Sequence, residues 1–126
     1  MLIVDDDADV AESARQTIER FVPGAHVHVA NSYASGLRAL KRTPVDLVLV
    51  DYRMPGHTGL EFAGRAHQLE PGLPVILMTG FASVDVAARA INLHGVQGFL
   101  PKPFDAVVLA QTVQKALQAH AAPAAA

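Results

Sequence analysis

Short apolar runs alternate along this chain with segments in which apolar residues recur at every third or fourth position. Five runs share this continuous apolar character: Leu2–Val4, Val27–Ala30, Val45–Val50, Val75–Met78 and Val96–Leu100. A run without alternating polar residues is typical of a strand buried on both faces, as in a parallel sheet. We therefore predict five parallel strands.

The segments between the runs have the spacing of amphipathic helices. In the first of them, Val10, Ala14 and Ile18 recur on one helical face. The segments end at helix-breaking residues, which are Pro23-Gly24, Thr43-Pro44, Pro71-Gly72 and, for the fourth, Asn92 with Gly95. The predicted N-caps are Ser32, Thr58 and Ser83.

Strands and helices that alternate in this way predict an α/β domain with right-handed crossovers and helices on both faces of the sheet. The chain has 126 residues, 51% of them hydrophobic, which suits one domain with one core. We assign residues 1–120 to this domain, and the Ala-rich residues 121–126 to a frayed end or the start of a linker. Ligands of such folds bind at the carboxyl ends of the strands, so the chemistry is expected there.

Charge and composition narrow the classes of partner. The 10 Lys and Arg residues against 12 Asp and Glu give a net charge of −2, so we expect no contact of this domain with nucleic acid or an anionic membrane surface. The chain has no cysteine, no apolar run of about 20 residues, and a start unlike that of a signal peptide. We therefore expect a cytoplasmic protein.

Polar residues follow four of the five predicted strands. Asp5-Asp6-Asp7 follows the first, Asp51 the third, Thr79-Gly80 the fourth and Lys102 the fifth. Carboxylates gathered at one edge of the sheet repel one another, by about 4 kcal/mol per pair at about 4 Å with an effective dielectric constant near 20. A divalent cation would relieve that repulsion, and a site with oxygen ligands suits Mg²⁺.

The same residue types suit phosphoryl transfer. A carboxylate such as Asp51 can attack phosphorus and form an aspartyl phosphate, provided that the charge on the transferring group is neutralised. Lys102 offers a point charge for one phosphoryl oxygen, and Thr79 offers a hydroxyl for another.

Each of these residues also has a purely structural interpretation. An Asp after a strand is often a helix cap or a turn residue, Thr79 suits any strand, and a lysine is usually a solvated charge. The combination of such residues at four strand ends favours a site over these separate explanations.

These motifs together resemble the receiver domains of two-component response regulators over nearly the whole chain. The segments that carry the resemblance are Leu2–Asp7, Asp46–Gly56 with Gly59, Met78–Gly80 and Phe99–Phe104. The resemblance implies a flavodoxin-like (βα)5 fold, with a five-stranded parallel sheet of order 2-1-3-4-5 between two layers of helices. It also implies a phosphorelay protein that catalyses only its own phosphorylation and dephosphorylation, and so is not an enzyme acting on a separate substrate.

Residue by residue, the resemblance makes Asp51 the phosphoacceptor. It implies that Asp6, Asp51 and the main-chain carbonyl of Arg53 bind Mg²⁺ directly, and that Asp5 acts largely through water. Thr79 would hydrogen-bond the phosphoryl group, and Lys102 would pair with it. The family usually has a cis peptide bond at the position of Lys102-Pro103. The resemblance leaves Asp7 without a role.

The implied phosphodonor is a phosphohistidine on a sensor histidine kinase or a phosphotransfer protein. Phosphorylation would draw Thr79 inward and let Phe99 rotate, which would alter a surface made of the fourth helix, the fifth strand and the fifth helix. That surface could also form a homodimer. Phe99 could equally be an ordinary core aromatic residue. Arg53 and Phe81 flank the path of the attacking water in the family, and their bulk predicts slow loss of the phosphoryl group.

Three other classes of protein compete with this interpretation. A phosphohydrolase of the haloacid-dehalogenase class also uses a strand-end Asp, but it would have a second acid where this chain has Arg53. A degenerate receiver would act without phosphorylation, yet the full set of acidic, Thr and Lys residues is present. A nucleotide-binding fold lacks support, because neither glycine-rich phosphate-binding pattern occurs.

The histidines receive no catalytic role from the sequence. His26 and His28 are two positions apart in or beside a predicted strand and would point the same way, but no third metal ligand is evident nearby. His57 lies in the loop that follows Asp51, close to the predicted site, but the sequence gives little support for a catalytic role there. We interpret the remaining histidines as solvated surface residues.

Overall fold

The computed structural model describes residues 1–80 and 96–121, with side chains described as far as residue 118. Several predictions concern residues outside this range. These predictions are the fourth helix, with its N-cap Ser83 and its end at Asn92 and Gly95, the role of Phe81, and the frayed Ala-rich end.

Five parallel strands form one sheet, and their ranges are β1 (Leu2–Val4), β2 (His28–Ala30), β3 (Val48–Asp51), β6 (Val75–Thr79) and β7 (Val96–Pro101). Two further strands, β4 (Arg53–Met54) and β5 (His57–Thr58), form a small antiparallel hairpin. The strand order of the sheet is β2-β1-β3-β6-β7. With the hairpin left aside, this is the predicted order 2-1-3-4-5, which is confirmed.

The described helices are α1 (Ala8–Phe21), α2 (Tyr33–Arg42), α3 (Gly59–Leu69) and a C-terminal helix (Ala106–Ala121). The hydroxyls of Ser32 and Thr58 cap α2 and α3, each within a capping box. Asp7 caps α1, since its side chain accepts hydrogen bonds from the amides of Asp9 and Val10. The third aspartate of the run therefore begins a helix, which explains why it had no chemical role.

The sheet separates two apolar layers. Ile3, Leu49 and Ile76 point to the layer formed with α1 and the C-terminal helix. Their neighbours in sequence, such as Val4 and Val50, point to the layer formed with α2 and α3. Each fully buried side chain of this size stabilises the fold by about 1.5–3 kcal/mol, so the alternation fixes the register of the strands.

One irregularity interrupts the ladder between β6 and β7. Val75 pairs with Val96, but Ile76 pairs with Gly98, so Gln97 is an extra residue in β7. The side chain of Gln97 is exposed.

The structure departs from the predicted elements in small ways. β3 begins at Val48 rather than Val45, and β2 begins at His28, so His26 precedes the strand instead of sharing it. The hairpin of β4 and β5 was not predicted, because strands of two residues carry no recognisable hydrophobic pattern. Among the described helices, none is long and apolar enough to cross a membrane.

Candidate functional site

Four neighbouring strands bring their carboxyl ends to one edge of the sheet. Asp5 follows β1, Asp51 ends β3, Thr79 ends β6, and Lys102 follows β7. Because these strands are consecutive in the sheet, residues far apart in sequence meet at this edge, as the sequence analysis predicted.

Three carboxylates lie close together there. Asp5, Asp6 and Asp51 each offer an oxygen atom, and these atoms lie within 4.8 Å of one another. Asp5 is fully buried, Asp51 is half-buried and Asp6 is exposed. The cluster therefore has a buried floor and an opening to solvent.

Asp5 is held by bonds to both carboxylate oxygens. The backbone amide of Asp7 donates to Oδ1 at 2.9 Å, and the Nζ of Lys102 donates to Oδ2 at 2.6 Å. Its own amide donates to the carbonyl of Ala30 at 3.0 Å. A buried carboxylate without such partners would be strongly destabilising, so these hydrogen bonds offset the burial of Asp5.

Lys102 lies between two of the carboxylates. Its Nζ is 3.4 Å from Asp51 Oδ1, in addition to its bond with Asp5. Its amide donates to the carbonyl of Thr79 at 2.7 Å, and the bond from Lys102 to Pro103 is cis. The hydrogen bond to Thr79 ties the end of β7 to the end of β6, at the residue whose ammonium group enters the cluster.

The backbone around Asp51 is closely packed. The amide of Tyr52 donates to the carbonyl of Met78, and the amide of Gly59 donates to the carbonyl of Tyr52, both at 2.7 Å. A Cβ atom on Gly59 would lie 2.6 Å from the carbonyl oxygen of Asp51 and 2.8 Å from Leu77 Cδ2. Only glycine fits there, because α3 begins directly against the strand that carries Asp51.

The electrostatic environment opposes ionisation of Asp51. Burial and the nearby charge of Asp5 raise its pKa, while Lys102 and the amide of Arg53 act in the opposite direction. Burial acts to lower the pKa of Lys102, but its bond to Asp5 and the charge of Asp51 outweigh burial, so that pKa is raised. Lys102 is therefore firmly cationic at neutral pH.

A recess of about 200 Å³ opens above Asp51. The residues that line it are Asp51, Tyr52, Arg53, Thr79, Gly80 and Lys102. It brings the hydroxyl-bearing Thr79 and the cationic Lys102 to the same small space as the Asp51 carboxylate. Such a space suits a compact anionic group.

The acidic cluster fits a hard divalent cation. Three carboxylates and one ammonium leave two unbalanced negative charges, −3 + 1 = −2, and a divalent cation would balance them. The donors are oxygen atoms, which Mg²⁺ prefers over nitrogen or sulfur. Arg53, whose main-chain carbonyl is the further ligand that the resemblance implies, lies on the hairpin and lines the recess.

The structure brings together Asp5, Asp6, Asp51, Thr79 and Lys102, as expected. Phe99 lies apart from them in β7, where it is partly buried, pairs with Leu77 and packs against the layer formed with α2 and α3. Phe81 is outside the described residues. His26 and His28 line a different cavity of about 380 Å³ at the opposite edge of the sheet. They belong to no cluster of three potential metal ligands within the described part of the chain.

Tyr52 and Gly80 also line the recess, although no role was predicted for them from the sequence. Each of them directly follows a predicted site residue, Asp51 or Thr79, at the end of a strand. That position in the sequence could have indicated that they line the recess. The bond between Lys102 and Asp5 could not be read from the sequence, because the two residues are 97 positions apart.

Comparison with known proteins agrees with this geometry. The model of the response regulator receiver domain family matches residues 1–114. The transcriptional regulatory protein GlrR of Escherichia coli (strain K12) is 39% identical over 126 residues, which cover 98% of this chain and 27% of GlrR. The DNA-binding transcriptional regulator NtrC of the same strain is 36% identical, with 91% of this chain and 24% of NtrC covered. The chain thus spans about a quarter of the length of these curated relatives.

Solved structures have the same fold. A CheY-like receiver domain protein from Methanospirillum hungatei JF-1 is 30% identical, with a TM-score of 0.86 over 94% of this chain and 93% of that one. The receiver domain of NtrX from Brucella abortus is 28% identical, with a TM-score of 0.85 over 93% of this chain and 97% of that one. Since the family model covers most of the sequence and the fold agrees, this chain belongs to the response regulator receiver domain family.

Proposed function

We propose that the chain accepts a phosphoryl group on Asp51 and transmits this event as a signal. One observation carries the proposal: the half-buried Asp51 carboxylate lies at a small recess together with the Lys102 ammonium, the Thr79 side chain and two further carboxylates. This combination suits the acceptance of a phosphoryl group better than it suits a purely structural role. The self-catalysed character of the reaction is part of the proposal.

The transfer itself is a displacement at phosphorus. A carboxylate oxygen of Asp51 forms a bond to phosphorus while the bond from phosphorus to the donor imidazole nitrogen breaks. The imidazole nitrogen keeps the electron pair of that bond, and Asp51 becomes an aspartyl phosphate. The nucleophile in this step is the ionised carboxylate, so the chain contributes mainly position and positive charge.

Asp5, Asp6, Asp51 and the main-chain carbonyl of Arg53 are the residues that would hold Mg²⁺. When bound, Mg²⁺ would supply positive charge against the phosphoryl oxygens. Lys102 would add a further positive charge, since its Nζ is 3.4 Å from Asp51 Oδ1. The hydroxyl of Thr79 is proposed to donate a hydrogen bond to the phosphoryl group.

The signal is proposed to pass through Thr79 and Phe99. The two residues lie on adjacent strands, two pairs apart along the ladder, since Thr79 pairs with Pro101 and Leu77 pairs with Phe99. Movement of Thr79 toward the phosphoryl group would change the packing around Phe99, which is only partly buried. The face proposed to report phosphorylation and to serve as a homodimer surface is that of the fourth helix, β7 and the C-terminal helix, of which the fourth helix lies outside the described residues.

Arg53 and Phe81 are proposed to set the lifetime of the phosphoryl group. Arg53 is exposed and lines the recess, so its side chain can hinder water that approaches Asp51. The equivalent contribution of Phe81 is inferred from the family alone. Together they predict slow hydrolysis of the aspartyl phosphate.

The proposed phosphodonor is a sensor histidine kinase or a histidine phosphotransfer protein in the cytoplasm. The proposed output is transcriptional, because the curated relatives include the regulators GlrR and NtrC, whose lengths are about four times the region matched here. Contact with DNA would fall to other parts of such a protein, since this domain carries a net charge of −2.

The direct test uses acetyl phosphate and Mg²⁺ with detection by mass spectrometry. We expect the wild-type chain to gain the mass of one phosphoryl group, to lose it in hydroxylamine, and to require Mg²⁺. The Asp51→Asn variant should gain none. A gain that persists in Asp51→Asn would show that another residue is the acceptor. Repeated turnover of a phosphomonoester would instead indicate a phosphohydrolase.

A further inference from the structure

The hairpin formed by β4 and β5 is a very short element near the site, and Met54 anchors its first strand in the layer formed with α2 and α3. It has only two residue pairs, Arg53 with Thr58 and Met54 with His57. Two-stranded hairpins of ordinary length are already marginal in water, so one this short cannot be stable by itself. Contacts with the rest of the protein must hold it in place.

The turn of the hairpin adds to this weakness. Pro55 and Gly56 join the strands, and Gly56 has a φ of +77°. Because proline keeps φ near −65°, the two residues have the φ signs of a type II turn. The twist of this turn does not match that of the paired strands, whereas the turns usual in two-residue hairpins do match it. The turn therefore does not fix the geometry of the hairpin.

His57 supplies the contacts that the turn and the ladder lack. Its ring is stacked on that of Tyr33, with centroids 3.8 Å apart and an interplanar angle of 11°. Its Nδ1 lies 3.1 Å from Glu61 Oε2, and this hydrogen bond lowers the pKa of Glu61. The carboxylate of Glu61 also accepts the amide of Thr58, within the capping box of α3. One side chain thus connects the hairpin to the starts of both α2 and α3.

Tyr33 is itself anchored in the core. It is the first residue of α2, and its ring meets the edge of the Phe62 ring with centroids 5.9 Å apart. Phe62 is fully buried. The stack therefore joins the hairpin to a rigid part of the protein, and not to another mobile side chain.

We propose that His57 is a positioning residue for the cation site, a role that rests on the proposed function of the acidic cluster. His57 lies in β5, and β5 pairs with β4, the strand that includes Arg53. Holding β5 against Tyr33 and Glu61 fixes the backbone of Arg53, and with it the carbonyl that would complete the ligands offered by Asp5, Asp6 and Asp51. Met54 is buried beside Arg53 and would still anchor β4 without the stack. The stack adds the support on the β5 side, and we expect the carbonyl of Arg53 to be a poorer ligand when that support is lost.

The test measures the affinity for Mg²⁺ by isothermal titration calorimetry, with no phosphodonor present. We expect His57→Ala to weaken binding by about two- to tenfold, the range given by the strength of one aromatic pair. His57→Phe keeps a ring for Tyr33 and should remain within about twofold of wild type. Tyr33→Leu should weaken binding about as much as His57→Ala, and the double variant should be no weaker than either single variant.

The matched control is His67→Ala. His67 is an exposed histidine in the last turn of α3, and its replacement should leave Mg²⁺ affinity unchanged. Thermal unfolding of each variant shows whether it is folded. The inference is wrong if folded His57→Ala binds Mg²⁺ as wild type does, or if His57→Ala and Tyr33→Leu have additive effects. Neither result would affect the phosphorylation test on Asp51, so the two proposals can fail separately.

Discussion

Lys102 is bonded more closely to Asp5 than to Asp51. Its Nζ is 2.6 Å from Asp5 Oδ2 and 3.4 Å from Asp51 Oδ1. The ammonium group therefore compensates the fully buried carboxylate first, and remains near enough to Asp51 to contact a group attached there. Under the proposed function, this lysine has a structural role before phosphorylation and an electrostatic role after it.

Removal of the lysine should therefore destabilise the fold as well as impair phosphorylation. Lys102→Met leaves the buried Asp5 without its cationic partner, and we expect the free energy of unfolding to fall by about 3 kcal/mol in EDTA. Urea denaturation measures this change. The control Lys115→Met removes an exposed lysine of the C-terminal helix and should alter stability by no more than about 0.5 kcal/mol. Equal stabilities of the two variants would contradict the structural role.

Asp51 should make stability depend on pH in the direction opposite to that of most carboxylates. Its pKa is raised above the ordinary value of 3.8 by burial and by Asp5, so the folded chain binds this proton more tightly than the unfolded chain. The resulting stabilisation is complete below the ordinary pKa and is lost as pH rises through the raised pKa of the folded state. Ionised Asp51 is thus unfavourable to folding at neutral pH.

We therefore expect Asp51→Asn to melt at a higher temperature than wild type at pH 7.5 in EDTA. The difference should shrink as the pH is lowered, because wild-type Asp51 becomes protonated. Mg²⁺ should raise the melting temperature of wild type more than that of the variant. A difference that is independent of pH from neutral to acidic conditions would show that charge on Asp51 is not its cause.

Gly59→Ala should disturb the site through the backbone. The added Cβ would meet the carbonyl oxygen of Asp51 and the side chain of Leu77, so we expect a loss of about 1–3 kcal/mol of stability and slower phosphorylation. Gly72→Ala is the control, since its Cβ would meet nothing within 4 Å. That variant should be neutral or more stable by up to about 1 kcal/mol. Similar melting temperatures for the two variants would be inconsistent with close packing at Gly59.

Arg53→Asn should shorten the lifetime of the aspartyl phosphate. The smaller side chain leaves more room for water at the recess, while the main-chain carbonyl is retained. Loss of the phosphoryl group after removal of the donor can be followed by mass spectrometry, alone and together with Phe81→Ala. If the wild-type half-life is only seconds and neither substitution changes it, these residues do not protect the phosphoryl group.

Much of the fold could be predicted because the central strands are buried on both faces. Runs such as Val48–Val50 and Val75–Met78 have no polar residue, and few structures other than a parallel sheet bury such a run completely. The carboxyl ends of these strands could then be located, and with them Asp51 and Thr79. The part of the site that could be predicted is therefore the part that follows from the order of the strands, because neighbouring parallel strands end at the same edge of the sheet.

Other features depend on contacts between distant residues or on very short elements. The sequence could not show that Asp5 is buried, that Asp6 is exposed and that Asp7 caps α1, because three identical residues in a row carry no distinguishing pattern. The hairpin of β4 and β5 is too short to have a periodicity. The role proposed for His57 depends on its contact with Tyr33, which lies in α2 and is distant in sequence.

The extra residue in β7 determines which side chain reaches the site. In a regular strand, residues three positions apart point to opposite faces, yet Val96 and Phe99 both pack on the layer formed with α2 and α3, because Gln97 is left out of the pairing. If Gln97 instead paired with Ile76, Phe99 and Leu100 would exchange faces and Pro101 would move to the place of Lys102. A slip of one residue would thus replace the ammonium group at the acidic cluster with a proline ring, and Asp5 and Asp51 would lose the cation that pairs with both of them, without any change in sequence.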